Sequence, residues 1–373
     1  MPAEHLYVHL PFCSSRCGYC DFVTVVGRAG EHARYVDAVL AELELERRLL
    51  APRPATVYLG GGTPTLTEPA ALERLLAGLP PADELTVEAN PETVTPELAA
   101  LLARNGVDRV SIGAQTFHRH LLDVLGRRAG PGDVRRAVHR LRDAGIDNIS
   151  LDLLYGIPGQ SPADLGRDLA EALALAPEHL SAYELEAKPG TRFTHAHGQE
   201  LERQAERMEC YFEQVVETLT QAGYRWYETA SFARLGPRDL RARHNLGYWL
   251  GRDYLGLGVG AVSTIENRRW RNAPSLRGYL SALEAGRRPA REPEALPPDV
   301  RARERVMLGL RLDEPLPLRG LEQAVDGPEL ERLAALGLLE RTPETLALTR
   351  RGRFLGGGVT AQLLSAGAAS RSI

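Results

Sequence analysis

Apolar residues in the first half of the chain fall in short runs rich in β-branched side chains. Each run is followed by a longer stretch in which they recur every three or four positions. The runs fit strands buried on both faces and the stretches fit one-sided helices, so their alternation predicts βα units and a parallel sheet. Six strands are expected near 5–10, 55–60, 84–88, 108–113, 147–154 and 179–185. Helices over 31–50, 68–79, 95–105, 131–145 and 162–176 connect them. Six units are two short of a closed eight-stranded barrel.

After Glu186 the rhythm stops. A long helix over 199–223 is expected, leading into the strand-like alternation Trp226-Tyr227-Glu228-Thr229-Ala230-Ser231-Phe232, which would extend the sheet. Next comes His244-Asn245-Leu246-Gly247-Tyr248-Trp249. The run Gly256-Leu257-Gly258-Val259-Gly260-Ala261 lacks the glycine pattern and setting of a dinucleotide fingerprint. Prolines 289, 293, 297 and 298 mark a linker. Beyond it, helices near 299–310, 318–325 and 328–336 and a hairpin predict a small winged-helix-like domain. The division expected is therefore 1–198, 199–290, 296–355 and a flexible Gly/Ala/Ser-rich tail over 356–373.

With 373 residues, 43% of them hydrophobic and 25% charged, the chain is globular rather than disordered or fibrous, and long enough for two or three domains. The net charge of −4 gives no general attraction for phosphates. The segment 299–373 balances 11 Arg against 10 Asp plus Glu, so a nucleic-acid partner is not expected and the small domain reads as a packing or protein-contact module. No transmembrane run or signal peptide is visible, which points to the cytoplasm. Lys188 is the single lysine among 45 basic residues. No Gly-Lys-Ser/Thr phosphate loop exists, and a pyridoxal Schiff base would have to rest on a lysine in a turn-like stretch.

Three of the four cysteines lie within eight positions, Cys13-Ser14-Ser15-Arg16-Cys17-Gly18-Tyr19-Cys20, while Cys210 stands apart. An odd cluster argues against a disulfide framework. A structural zinc site would need a fourth ligand such as His9 or His5. An iron–sulfur cluster fits better: three thiolates on one loop take three irons and leave the fourth open.

The Cys-x3-Cys-x2-Cys spacing with its lead-in Tyr7-Val8-His9-Leu10-Pro11-Phe12 resembles the radical SAM superfamily. Within it, the chain is similar to the branch of the oxygen-independent coproporphyrinogen III oxidases and the HemW-type heme chaperones. That resemblance implies a partial (β/α)6 TIM barrel with a [4Fe-4S] cluster on Cys13, Cys17 and Cys20 and S-adenosylmethionine at its open iron. Gly60-Gly61-Gly62-Thr63-Pro64 matches the family segment that contacts the methionyl end of the cofactor, with Gly61 and Gly62 letting backbone approach it. Tyr7 and Glu88 would help hold the cluster-bound molecule. Tyr19, Gly62, Thr63, Gln115, Arg127 and Asp152 match residues around a second one in the oxidase.

Inside the branch the choice lies between an enzyme that decarboxylates coproporphyrinogen III and a carrier that delivers heme to acceptor proteins, its cluster reduced by an electron donor. Three features favour the carrier. Phe22 stands where the oxidase has a further cysteine, and only 12 residues precede Cys13, leaving no room for the oxidase's N-terminal extension. The His-Asn-x-x-Tyr-Trp segment matches a motif associated with heme, which makes His244 a candidate iron ligand flanked by Tyr248 and Trp249; His9, His195 and His197 are alternatives. Radical modification of tRNA would call for a basic RNA-binding domain, and none is visible.

Overall fold

The structure, a computed structural model, describes residues 2–186 and 192–365; Lys188 lies outside them. The six expected strands are present as β1 (His5–Leu10), β2 (Thr56–Gly61), β3 (Glu84–Ala89), β4 (Arg109–Gln115), β5 (Asn148–Tyr155) and β6 (His179–Glu184), paired in parallel in that order. The crossovers include α1 (His32–Glu46), α2 (Pro69–Gly78), α3 (Pro96–Arg104), α5 (Pro131–Asp143) and α6 (Pro162–Ala174), as the periodicity predicts, together with a short α4 (Arg119–Leu125). Their starts are written in the sequence. Thr95 and Ser161 accept from the backbone N–H three residues on, and a proline follows each cap where its missing N–H costs nothing. On α1, Tyr35, Val36, Val39 and Leu43 form the apolar stripe that seats it on the sheet.

The sheet does not close. Parallel to β1, on the edge that a full barrel would seal, runs β9 (Tyr254–Leu257), and β10 (Val262–Ile265), β11 (Arg268–Asn272) and β12 (Arg291–Ala295) continue outward antiparallel. On the other side β6 pairs with β8 (Ser231–Arg234) and that with β7 (Tyr224–Glu228), giving twelve strands in all. The expected linker is thus partly β12, and its Pro293 is tolerated because the strand is an edge.

The helix expected over 199–223 is two, α7 (Arg192–Ala205) and α8 (Met208–Gln221), so a division at 198 would cut α7. The break lets Gln204 Nε2 and Tyr211 OH both donate to the Gln160 carbonyl, at 3.0 and 2.7 Å. The small domain has its own core around Leu310, Leu330, Leu333 and Leu346. It holds α10 (Pro298–Gly309), α11 (Gly327–Ala335) and a sheet of β13 (Leu316–Pro317), β14 (Leu339–Arg341) and β15 (Thr345–Leu348). Two expectations fail there. The segment 318–325 is only a single 3₁₀ turn, Glu322–Ala324, because the Leu318 N–H is tied to the Glu344 carbonyl. From Gly356 the chain forms helix α12 (Gly356–Ser365), whose Val359 and Leu363 are buried in the small core, so the expected flexible tail does not begin at 356; its remainder, 366–373, lies outside the described residues. No helix of the described residues is long and apolar enough to cross a membrane.

Candidate functional site

The carboxyl ends of β1 and β2 are stitched together past their last sheet bonds. Gly62 N–H donates to the Leu10 carbonyl and Thr63 N–H to that of Phe12, both at 2.8 Å, while Phe12–Cys13 pairs with Val25–Val26 to close the cysteine loop. This sets Thr63 Oγ1 3.6 Å from Cys13 Sγ. Across the loop, Arg127 Nη1 points at Cys17 Sγ at 3.8 Å, and its Nη2 donates to Asn90 Oδ1 and the Gly113 carbonyl. The three thiols are free and half-buried, and burial pushes those of Cys13 and Cys20 up. They line one wall of a cavity of about 680 Å³. Cys210 is exposed elsewhere, on α8.

Glycine in the Gly60–Gly62 run is required by the protein's own packing. Gly61 has φ +111°, and a Cβ there would stand 2.4 Å from the His9 ring; one on Gly62 would stand 2.6 Å from the Pro11 carbonyl. His9 is fixed by donating from Nε2 to the Val23 carbonyl and accepting at Nδ1 from Tyr7 OH. Tyr7 is consequently the exception among the expected cofactor residues: its hydroxyl is spent on His9 and it does not line the cavity. Tyr19, Gly61, Gly62, Thr63, Glu88, Gln115, Arg127 and Asp152 all do.

Strand register supplies the polar floor. Glu88, Ser111, Ser150 and His179 stand side by side on β3 to β6, and Gly113, Asp152 and Ser181 form the next row. Glu88 accepts from Tyr58 OH at 2.7 Å and from the Gly61 N–H at 3.0 Å, yet enclosure in the barrel pushes its carboxyl up to about 7, helped by the Asp152 charge. Asp152 is likewise raised by burial, while Ser111 Oγ donates to it at 2.9 Å. Gln115 takes a left-handed φ of 65° beside a bulge, which turns it toward Gly113 and Arg127. Tyr58, Asn90 and Arg109 also line the cavity and were not singled out by the sequence. Arg109 is buried at its base, donating to Asn148 Oδ1 and the Leu240 carbonyl. Their signal was the period-2 alternation of each strand, legible only once the inward face is known.

The His244–Trp249 segment forms α9 (Arg243–Trp249) and does not open into this cavity through its histidine. His244 is 1% exposed; Nδ1 shares a hydrogen bond with Thr56 Oγ1 at 2.7 Å and Nε2 one with Tyr248 OH at 2.9 Å. Its ring stacks on Tyr58 at 4.9 Å, and burial lowers it to about 3. With both nitrogens engaged in the core, His244 is a packing and bridging residue here rather than an open iron ligand. Trp249 is half-buried with the Arg311 guanidinium 4.4 Å above its ring. His9 is buried and equally committed, whereas His195 is exposed on α7.

Residues 7–172 match the family model of the radical SAM superfamily, and residues 296–355 that of the HemN C-terminal domain. The chain is 37% identical to a Mycobacterium tuberculosis protein named heme chaperone HemW, over 96% of this chain and 94% of the relative. Proteins of the same name from Escherichia coli (34%, 95% and 96% covered) and Bacillus subtilis (32%, 95% and 97%) are similar along nearly their whole length. Among solved structures, coproporphyrinogen III oxidase (HemN) from E. coli superposes with a TM-score of 0.81 at 24% identity, covering 98% of this chain and 91% of that one; it shares the fold.

Proposed function

The chain belongs to the radical SAM superfamily and, within it, to the family of the proteins named heme chaperone HemW, and on that footing we propose that it binds heme and hands it to acceptor proteins in the cytoplasm. The chief support is similarity along almost the entire chain to proteins of that name. Phe22, 59% exposed at the cavity rim where the oxidase carries a further cysteine, agrees with it.

Cys13, Cys17 and Cys20 would hold a [4Fe-4S] cluster, and the side chains fit one. Among the described residues no three ligating groups converge on a single-ion position, whereas three free thiols share one cavity wall, with hydroxyl and guanidinium groups near two of the sulfurs. A spread of thiols, each taking its own iron, suits a cluster better than mononuclear zinc. When bound and reduced by an external electron donor, the cluster would supply an electron to the sulfonium of S-adenosylmethionine. The chain's own part is to hold and orient. Arg127 ties the loop to Asn90 and β4, Glu88 in its ionised form would offer an acceptor for the cofactor's amino group, and Asp152 with Gln115 completes the polar floor.

Anaerobic reconstitution followed by hemin titration and a coproporphyrinogen decarboxylation assay on one sample tests the proposal. Hemin uptake without protoporphyrinogen IX is expected. Efficient decarboxylation would make the chain an oxidase, and absence of hemin uptake would remove the carrier reading. Alanine at Cys13, Cys17 or Cys20 should abolish retention of iron and sulfide, whereas Cys210→Ala should keep both.

A further inference from the structure

A second cavity, of about 600 Å³, lies between the sheet extension and the small domain, and its charge is unbalanced. That volume is within the range of small-molecule sites, roughly 300–1,000 Å³. Four arginines line it with one glutamate. Two are neutralised: Arg269 forks onto Glu304 with both contacts at 2.8 Å, and Arg301 meets Asp253 at 3.1 Å. The other two, Arg252 and Arg305, have no carboxylate within ion-pair reach among the described residues. Arg305 donates Nη1 to the Trp249 carbonyl at 3.1 Å, and its stem passes so close to Gly251 that a Cβ there would stand 2.9 Å from Cδ. Burial, and after it the Arg252 charge, holds its guanidinium below the usual range, which marks the two cations as neighbours. Two unpaired guanidiniums lining one cavity, one of them partly desolvated, are an unfavourable combination that an anion would relieve.

The rest of the wall is mostly aromatic and aliphatic, with Thr264 and Asn267 its polar members. Tyr248 and Tyr254 meet edge to face at 4.7 Å, and Leu308 and Leu321 come from the small domain. A flat apolar body bearing a pair of carboxylates matches this lining: the rings accept the body, and each planar guanidinium accepts a carboxylate with two parallel hydrogen bonds. Resting on the heme-carrier reading above, we infer that heme is seated in this cavity with its two propionates on Arg252 and Arg305. The seat lies away from the cysteine loop. Tyr254 pairs with His5 at the start of β1, five residue steps or about 17 Å from the end of the strand that leads to Cys13. The last two residues of the His-Asn-x-x-Tyr-Trp segment then have a direct part, Tyr248 as wall and Trp249 as the carbonyl that holds Arg305, while His244 supports Tyr248 from behind.

The test uses the full cluster-loaded chain titrated with hemin and with hemin dimethyl ester, followed by Soret absorbance. Arg252 is exposed and its guanidinium has no hydrogen-bonding or ion-pair partner among the described residues, so Arg252→Glu should fold as wild type, checked by unchanged iron and sulfide content. It should bind hemin about tenfold to a hundredfold more weakly, as loss of a charge-assisted bond implies. Wild type should discriminate against the diester by a similar factor, and the variant should be nearly indifferent to esterification. Arg305→Gln should weaken hemin in the same direction. Wild-type and Arg252→Glu proteins that bind hemin equally, or a wild type that takes the diester as well as the diacid, would refute this seat while leaving the carrier reading intact. Failure of the wild type to bind hemin at all would overturn both.

Discussion

Replacing Glu88 by glutamine should stabilise the protein at alkaline pH and leave it unchanged in acid. Enclosure in the barrel raises the Glu88 carboxyl from 4.5 to about 7 despite the bonds from Tyr58 and the Gly61 N–H. Because the folded value lies above the unfolded one, the folded state holds the proton more tightly. The associated stability is fully present below pH 4.5 and is lost as the pH rises through 7. The interval corresponds to about 3 kcal/mol. Glutamine stays neutral throughout and can still accept from Gly61 while donating to the Tyr58 hydroxyl. Urea unfolding of the cluster-free chain at intervals from pH 5 to pH 8 should show wild type falling relative to Glu88→Gln by up to that amount. The same variant should bind S-adenosylmethionine more weakly, because the acceptor charge is gone, so stability and binding move in opposite directions. Parallel stability profiles for the two proteins would refute the reasoning, since a carboxyl that ionises freely has nothing to lose.

Gly62→Ala places a Cβ 2.6 Å from the Pro11 carbonyl, which belongs to backbone that cannot swing aside; overpacking of about 1–3 kcal/mol is expected in urea unfolding, with reduced retention of iron and sulfide because the cysteine loop starts there. His244→Ala strips a partner from both Thr56 and Tyr248 and leaves a hole beside Tyr58, so a loss of about 2–4 kcal/mol is expected with hemin uptake retained. An unchanged unfolding midpoint together with loss of the Soret band would instead make His244 an iron ligand.

Local signals carried much of this structure. The β-branched runs marked all six barrel strands, and Thr95-Pro96 and Ser161-Pro162 announced helix starts by cap chemistry that acts within four residues. What stayed hidden depends on contacts distant in sequence. That β1 is edged by β9, some 250 positions later, has no local mark. The glycines there show why: a Cβ on Gly256 would stand 2.1 Å from the Val262 carbonyl across the hairpin, so a run that looks like a failed nucleotide fingerprint is close backbone packing. The same holds at the site. Cys13, Cys17 and Cys20 were legible from spacing alone, but His9 filling the space over Gly61, and the row Glu88–Ser111–Ser150–His179, exist only after register is set.

The positions of the two cavities bear on carrier against enzyme. A radical step needs its substrate in contact with the group that generates the radical, because reactivity falls off within an ångström or so of misplacement. Cargo that must leave unaltered is better kept at a distance. The thiol-lined cavity sits at the carboxyl ends of the barrel strands, where parallel sheets place chemistry, and the arginine-lined one sits at the amino end of β1, with the length of that strand between them. Side chains nevertheless connect the two. Tyr248 shares a hydrogen bond with His244, His244 stacks on Tyr58, and Tyr58 donates to Glu88 in the first cavity. Glu88 thus stands three side chains from the wall of the other cavity, where burial, and after it the Tyr254 and Glu88 charges, push the Tyr248 hydroxyl up. If filling one cavity orders that chain and so favours the other, reciprocity of binding free energies requires the effect to be equal in the opposite direction. On the carrier reading, separation would keep the cargo away from the radical, and the buried His244 would be one side-chain step between the two cavities.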